Sequence, residues 1–376
     1  MPLSFFSIIF PLIDRHNSIN IFSMKIGFGD IYLIFSVLFF YIITKKIDKI
    51  IFRLSIFFFV IILFSMILNQ TLIGINTLAS IPLKVLFCGI IIHEFSNLKN
   101  PIGWSKIFLT LSVILYFCLI FFSDRVLNFY EYFNTNELLG YFISALCFFI
   151  FCEFKINPYT KISLNKLFII ILILISLLLI IQSRQFILGA IMALSLLFLS
   201  INFQSKTNLL IVNLPILIIM IYFSSLFIQN NTLFKERLKI FINLEPTLRS
   251  DNYRIENFKF MIEKFDQNIF FGRGPTSYIR DNPYKKTAHS TIITTYYELG
   301  LMGLILLIQI YYFIIGFFLK SIKNYNNVSR YQILIAFLLF IIVIHSFFND
   351  NLGKMAIYFA LAISIYFLKI FKTNQS

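Results

Sequence analysis

Charge is scarce in this chain. Asp, Glu, Lys and Arg make up 13% of its 376 residues, against 59% hydrophobic. Roughly half of an ordinary globular chain is apolar and the rest must face water, so this composition excludes a soluble fold. Acidic residues are scarcer still, 17 against 32 basic, for a formal net charge of +15. The basic residues form no dense stripe but sit in short loops between apolar runs, so nucleic acid is not an expected partner. Cysteine is limited to Cys88, Cys118, Cys147 and Cys152, all inside apolar runs with no CxxC pair and no Cys/His cluster. A disulfide framework or Cys-ligated metal site is therefore not expected. The chain also lacks a DxD pair or carboxylate cluster that would hold a divalent cation, and neither metal nor cofactor is expected. No internal repeat is visible, which weighs against transporters built from two related halves. The stretch from Met1 to Ile13 is apolar without a basic leader or small-residue cleavage site, so a cleaved signal peptide is not expected.

What the chain has in abundance is long apolar runs. Eleven stand out, near 31–44, 54–68, 78–94, 106–122, 138–152, 167–181, 186–201, 209–228, 291–319, 331–348 and 353–371. A helix needs about 20 such residues to cross about 30 Å of hydrocarbon. Residues 3–24 are read as a twelfth, irregular first span, broken around Pro11 and Asp14. The fold class is accordingly all-α: a polytopic membrane protein with 11–12 transmembrane helices and one large loop. One set of loops and span ends carries fifteen basic residues, from Lys45 and Lys46 through Lys155, Lys161 and Lys166 to Lys369 and Lys372. The alternate short loops hold Arg125 and Arg184. By the positive-inside rule the first set is cytoplasmic, as is the C-terminus. The chain divides into an N-terminal bundle (1–228), a large loop on the outer face (229–290) and C-terminal helices (291–376), all one membrane domain.

The loop has eleven Lys/Arg and seven Asp/Glu. A loop of this length is functional or disordered, and its interleaved aromatics argue for order. Ile255, Phe258, Met261, Ile262 and Phe265 share one face of a short amphipathic helix. It would lie on the membrane surface or pack over the mouth of the bundle.

Unusual groups gather on the same side. Gln182-Ser183-Arg184-Gln185 is a short turn between two apolar runs. Arg184 there is either a snorkelling anchor or an anion clamp whose planar guanidinium matches phosphate oxygens. Arg249 and Arg254 precede the amphipathic helix; Arg249 reads better as a solvated surface charge. Gly272-Arg273-Gly274-Pro275 is a turn with conformational freedom but without the strand and lysine of a nucleotide phosphate loop. Thr287-Ala288-His289-Ser290 stands where the chain re-enters the membrane as a long helix. Thr287 or Ser290 can cap it, and a helix start favours anions. That places His289 as a general base beside an anion site, although a lone histidine is more often structural. His93 reads as structural. His345 and Asp350 flank the last outer loop and are secondary candidates.

Four features, in order, resemble the O-antigen polymerase and O-antigen ligase superfamily. Asn134-Thr-Asn136-Glu-Leu-Leu-Gly140 resembles the family's Asn-rich outer turn, and Ser183-Arg184 its Ser-Arg turn. Arg254, with Phe258 where the family often has Trp, and Gly272-x-Gly274 resemble its Arg–aromatic–Gly-x-Gly stretch. His289-Ser290, nine residues, then Gly300-x-x-Gly303 resembles its most specific signature, with Ser290 where many members have Asn. Together these cover roughly residues 130–305. The resemblance implies a metal-independent, inverting glycosyltransferase of the membrane C-type architecture in the bacterial inner membrane. Its donor would be an undecaprenyl-diphosphate-linked oligosaccharide and its acceptor another glycan, with a chain-length regulator protein as a further partner. Arg184 and Arg254 would hold the diphosphate and His289 would act as the base; Arg249, Ser290, Asn136 and His345 are secondary site candidates. A polymerase of O-antigen or capsular repeat units is the leading reading, with a ligase onto lipid A-core as the alternative. The competing class is a lipid-linked oligosaccharide flippase, for which charges inside spans and two similar halves are expected.

Overall fold

The computed structural model describes residues 2–13, 18–21, 24–44, 48–70, 75–123, 135–158, 170–171, 174, 184–200, 256, 259–264, 269–283, 288, 290–325, 328–349 and 354–373, some at element ends by backbone alone. Helices dominate them: α1 (Pro2–Ile13), α2 (Phe28–Thr44), α3 (Lys49–Leu68), α4 (Ile75–Ser96), α5 (Pro101–Ser123), α6 (Thr135–Ile156), α7 (Arg184–Ser200), the one-turn α8 (Ser277–Asp281), α9 (Thr291–Lys323), α10 (Arg330–Phe348) and α11 (Met355–Thr373). Among the described residues five are long and apolar enough to cross a membrane: α3, α9, Pro101–Leu119 of α5, Leu138–Ile156 of α6 and Arg330–Phe347 of α10. The chain is a polytopic membrane protein. Nine of the eleven apolar runs coincide with helices; 167–181, for the most part, and 209–228 lie outside the described residues.

The N-terminal segment differs from a single broken span. α1 has twelve residues, a rise of about 18 Å against about 30 Å of hydrocarbon. A small antiparallel hairpin follows, β1 (Ser18–Ile21) on β2 (Met24–Gly27), with Ser18 opposite Gly27 and Ile21 opposite Met24. The free N–H groups that start any helix need acceptors, and Glu94 of α4 supplies them to Leu3 and Ser4, each at 3.1 Å. Asp48 does the same for α3, accepting from Ile50 N at 3.0 Å while also meeting Lys369 of α11.

Burial sorts the helices. α10 and α11 are apolar on every side, as the central helices of a bundle should be, and Ile333–Ile344 and Ile357–Ile363 are buried throughout. α2 and α3 show a wide face of Phe35, Phe39, Ile42, Phe57 and Ile67 to the exterior, where acyl chains rather than water accommodate it. α7 lies against α10 through Gly189: a Cβ there would meet the Ile344 Cβ at 3.1 Å and the Ile341 Cα at 3.3 Å. The apolar run of α4 also holds a charge. Lys84 of α4 is buried, in the electrostatic field of Asp30 at the start of α2.

Candidate functional site

The end of the bundle where α3 and α10 finish and α7 and α9 begin is built around two junctions. The first is a break in α9. Gly300 has φ 67° and ψ −161°, a conformation open to glycine and costly for other residues. The 33-residue stretch is therefore two arms, 291–299 and 301–323, rather than the one long helix expected. The arms fold back on each other. A Cβ on Gly303 would lie 3.2 Å from Thr295 Cγ2, whereas residues eight apart in a straight helix are separated by about 12 Å.

The break leaves backbone groups without helical partners, and the loop supplies them. Arg273 N donates to Tyr297 O at 2.9 Å and Gly274 N to Glu298 O at 3.1 Å. In return Leu301 N donates to Ile269 O at 2.9 Å and Met302 N to Phe270 O at 3.2 Å. Gly272, at φ +66°, approaches so closely that a Cβ would sit 2.4 Å from the Glu298 carbonyl carbon. The Gly272-x-Gly274 and Gly300-x-x-Gly303 motifs are thus two halves of one interlock. The end of α3 closes it: Ser65 Oγ donates to Glu298 O at 2.9 Å and Asn69 Nδ2 to Gly272 O at 3.0 Å.

Beside the interlock, Arg273 Nη1 bonds Asp281 Oδ2 at 3.2 Å and Tyr297 OH at 2.9 Å, and Arg280 Nε bonds Asp281 Oδ1 at 2.9 Å. Burial works to raise the Asp281 carboxyl. Hydrogen bonds from Arg280 and Tyr297 and the charges of Arg280 and Arg273 outweigh it and hold the group below the usual carboxylate range. Phe260 packs on Tyr278 and Tyr297, with ring centroids 5.9 and 5.7 Å away. Ile262, expected on the apolar face of the amphipathic helix, is 54% exposed. The described part of that helix turns Phe260 to the protein and Ile262 outward, as an apolar residue at a membrane surface would be.

The second junction joins three helix ends. Ser290 caps α9, with φ −155° and its hydroxyl accepting from Ile293 N at 3.5 Å; Thr287, the other capping candidate, lies outside the described residues. The next residue, Thr291, donates from N and Oγ1 to Asn349 O, at 3.1 and 2.7 Å. Asn349 Nδ2 in turn meets His345 Nε2 at 2.6 Å and Gln185 Oε1. His345 stacks on Phe186 with centroids 3.9 Å apart and planes at 25°. The start of α7, the start of α9 and the end of α10 therefore come together through buried polar contacts.

Set against the expected site, the backbone of Arg184 opens α7 one residue before Gln185, while its side chain lies outside the described residues. His289, Arg249, Arg254 and Asp350 are also outside them. His289 directly precedes the described Ser290. His345 joins the second junction; Asn136 lies in the first turn of α6, described by its backbone. Gln185 was noted only as part of its turn, and Asn349 and Tyr297 were missed. The available signal was a polar residue at the end of a long apolar run, as Asn349 is after Phe347 and Phe348.

Residues 169–308 match the family model described as O-antigen ligase. The match is consistent with the O-antigen polymerase and ligase superfamily, whose members are membrane glycosyltransferase-like enzymes. It spans Arg184, the Gly272 turn, His289 and the Gly300–Gly303 fold-back. A comparison with curated proteins finds no match.

Proposed function

We propose that the chain is a polymerase that joins undecaprenyl-diphosphate-linked oligosaccharide repeat units of O-antigen or capsule on the periplasmic face of a bacterial inner membrane. The observation that carries this reading is the meeting of the α7 start, which bears Arg184, with the α9 start, which follows His289. It occurs at the end of the bundle that the positive-inside rule assigns to the outer face. A lipid diphosphate must sit at that depth, where acyl chain gives way to headgroup.

In this reading Arg184 and Arg254 hold the diphosphate of the donor, with Arg249 more peripheral. His289 accepts the proton of the acceptor hydroxyl as its oxygen attacks the anomeric carbon. The bond from that carbon to the diphosphate oxygen breaks on the opposite side, so configuration inverts and undecaprenyl diphosphate departs. Guanidinium charge stabilises the negative charge that develops on the leaving group. The α9 start adds free N–H groups and the positive end of a helix dipole.

Transfer of finished polymer to lipid A-core is the second reading, favoured by the description of the matching family as O-antigen ligase. Deletion of the gene separates the two. A polymerase mutant still displays lipid A-core bearing one repeat unit, whereas a ligase mutant accumulates glycan on undecaprenyl diphosphate. For either enzyme, Arg184→Ala, Arg254→Ala and His289→Ala are each expected to lower the rate by on the order of 10² to 10⁴ while the protein stays in the membrane. Normal glycan profiles in all three would exclude the site. Arg249→Ala should have a smaller effect.

A further inference from the structure

Asn349 is the residue through which the three helix ends communicate. Its backbone carbonyl accepts both Thr291 bonds and its amide nitrogen reaches Gln185 and His345. Both amide hydrogens and both carbonyl lone pairs are thereby used. The side chains of Gln185 and Thr291 have no part in the proposed chemistry, but their neighbours do: Gln185 follows Arg184, and Thr291 stands two residues after His289. An apolar residue would fill the space at Asn349, which is 7% exposed. A buried amide network is costly unless each member is satisfied, and when satisfied it selects one geometry.

We propose that Asn349 is a positioning residue that sets the distance between the diphosphate clamp at Arg184 and the base at His289. This inference rests on the proposed function. Through Nδ2, Asn349 donates to His345 Nε2, which makes that nitrogen an acceptor and the imidazole neutral, protonated on Nδ1. His345 then serves as a strut, braced on Phe186, and the base role stays with His289. The short fixed links leave little slack: Thr291 is pinned by two bonds to one carbonyl, and α7 is pressed on α10 at Gly189.

The test uses the full chain in lipid nanodiscs, with lipid-linked glycan isolated from cells lacking this chain as donor and acceptor. Asn349→Leu and Gln185→Met are each expected to lower kcat by on the order of 10², the penalty for displacing reacting groups by about 1 Å. KM for the lipid-linked glycan should stay within about threefold, because displaced reacting groups cost turnover more than binding. The thermal midpoint should fall modestly, since Gln185 and His345 lose a buried partner, and kcat is therefore taken per folded protein. The double variant should lose no more than either single one, since both break the same link. Asn349→Asp should restore most of kcat, its carboxylate accepting from a turned Gln185 amide and from the other His345 tautomer. Unchanged kcat in Asn349→Leu, losses that simply follow the folded fraction, or additive losses in the double variant would overturn the inference. If Asn349→Leu fails to accumulate, Gln185→Met decides alone by the same kcat and KM criteria. Arg184→Ala and His289→Ala are assayed alongside. Full activity in both defeats the proposed function itself, whereas their inactivity beside an active Asn349→Leu defeats only the positioning role.

Discussion

At the scale of single residues, the glycines of α9 carry distinct demands. Gly300→Ala would force a side chain into a backbone conformation that costs on the order of 1–3 kcal/mol, with its Cβ 2.4 Å from the Phe270 carbonyl carbon. It is expected to lower the melting temperature in detergent and to abolish long glycan. Gly316→Ala, where an added Cβ meets nothing within 4 Å, is expected to leave both unchanged. Thr291→Val removes one of two bonds to Asn349 O and keeps the shape. The loss should be about 1 kcal/mol, read as a small drop in thermal midpoint.

At the scale of elements, the docking of the loop on α9 depends on the Arg273–Asp281–Tyr297 cluster, and this makes it sensitive to acid. The Asp281 carboxyl is held below its ordinary value. Its contribution is therefore complete above the unfolded pKa, near 3.9, and fades as pH falls through the folded value. Protection of the Arg273 and Gly274 amides from hydrogen exchange, taken relative to intrinsic exchange at each pH, is expected to fall below about pH 4. An Asp281→Asn variant should show lower protection at neutral pH and little further loss of protection in acid. The helices themselves were legible in the sequence, since length and apolarity mark a span regardless of what it touches. The interruption of α9 was not. Gly300 and Gly303 sit in a long, mostly apolar run beside a single charge, Glu298, and the turn there is stabilised by tertiary contacts from residues 269–274 and Ser65. Nor was α1 legible as a short helix followed by a hairpin, because hydropathy does not distinguish a half-crossing helix from a full one. Arg184 and His289 stood out because charge and imidazole are rare among apolar runs. Asn349 and Gln185 drew less notice because amides at helix ends are common.

At the scale of the whole molecule, central helices buried on every side and outer helices with apolar exteriors fit a bundle whose solvent is lipid. The basic loops predict its orientation. A tag at the C-terminus should be protected from protease added to intact spheroplasts, while a tag inserted near residue 250 should be cut. The reverse pattern would place the junction of the α7 and α9 starts on the side where nucleotide sugars, rather than lipid-linked glycans, are available.

The interlock between residues 269–274 and 297–302 consists of main-chain bonds, which are indifferent to side-chain identity except where a Cβ would intrude. Loop residues outside the Arg273–Asp281–Tyr297 cluster can therefore be replaced without unseating it, provided Gly272 and Gly300 persist. Such a joint separates what seats the loop from what the loop presents.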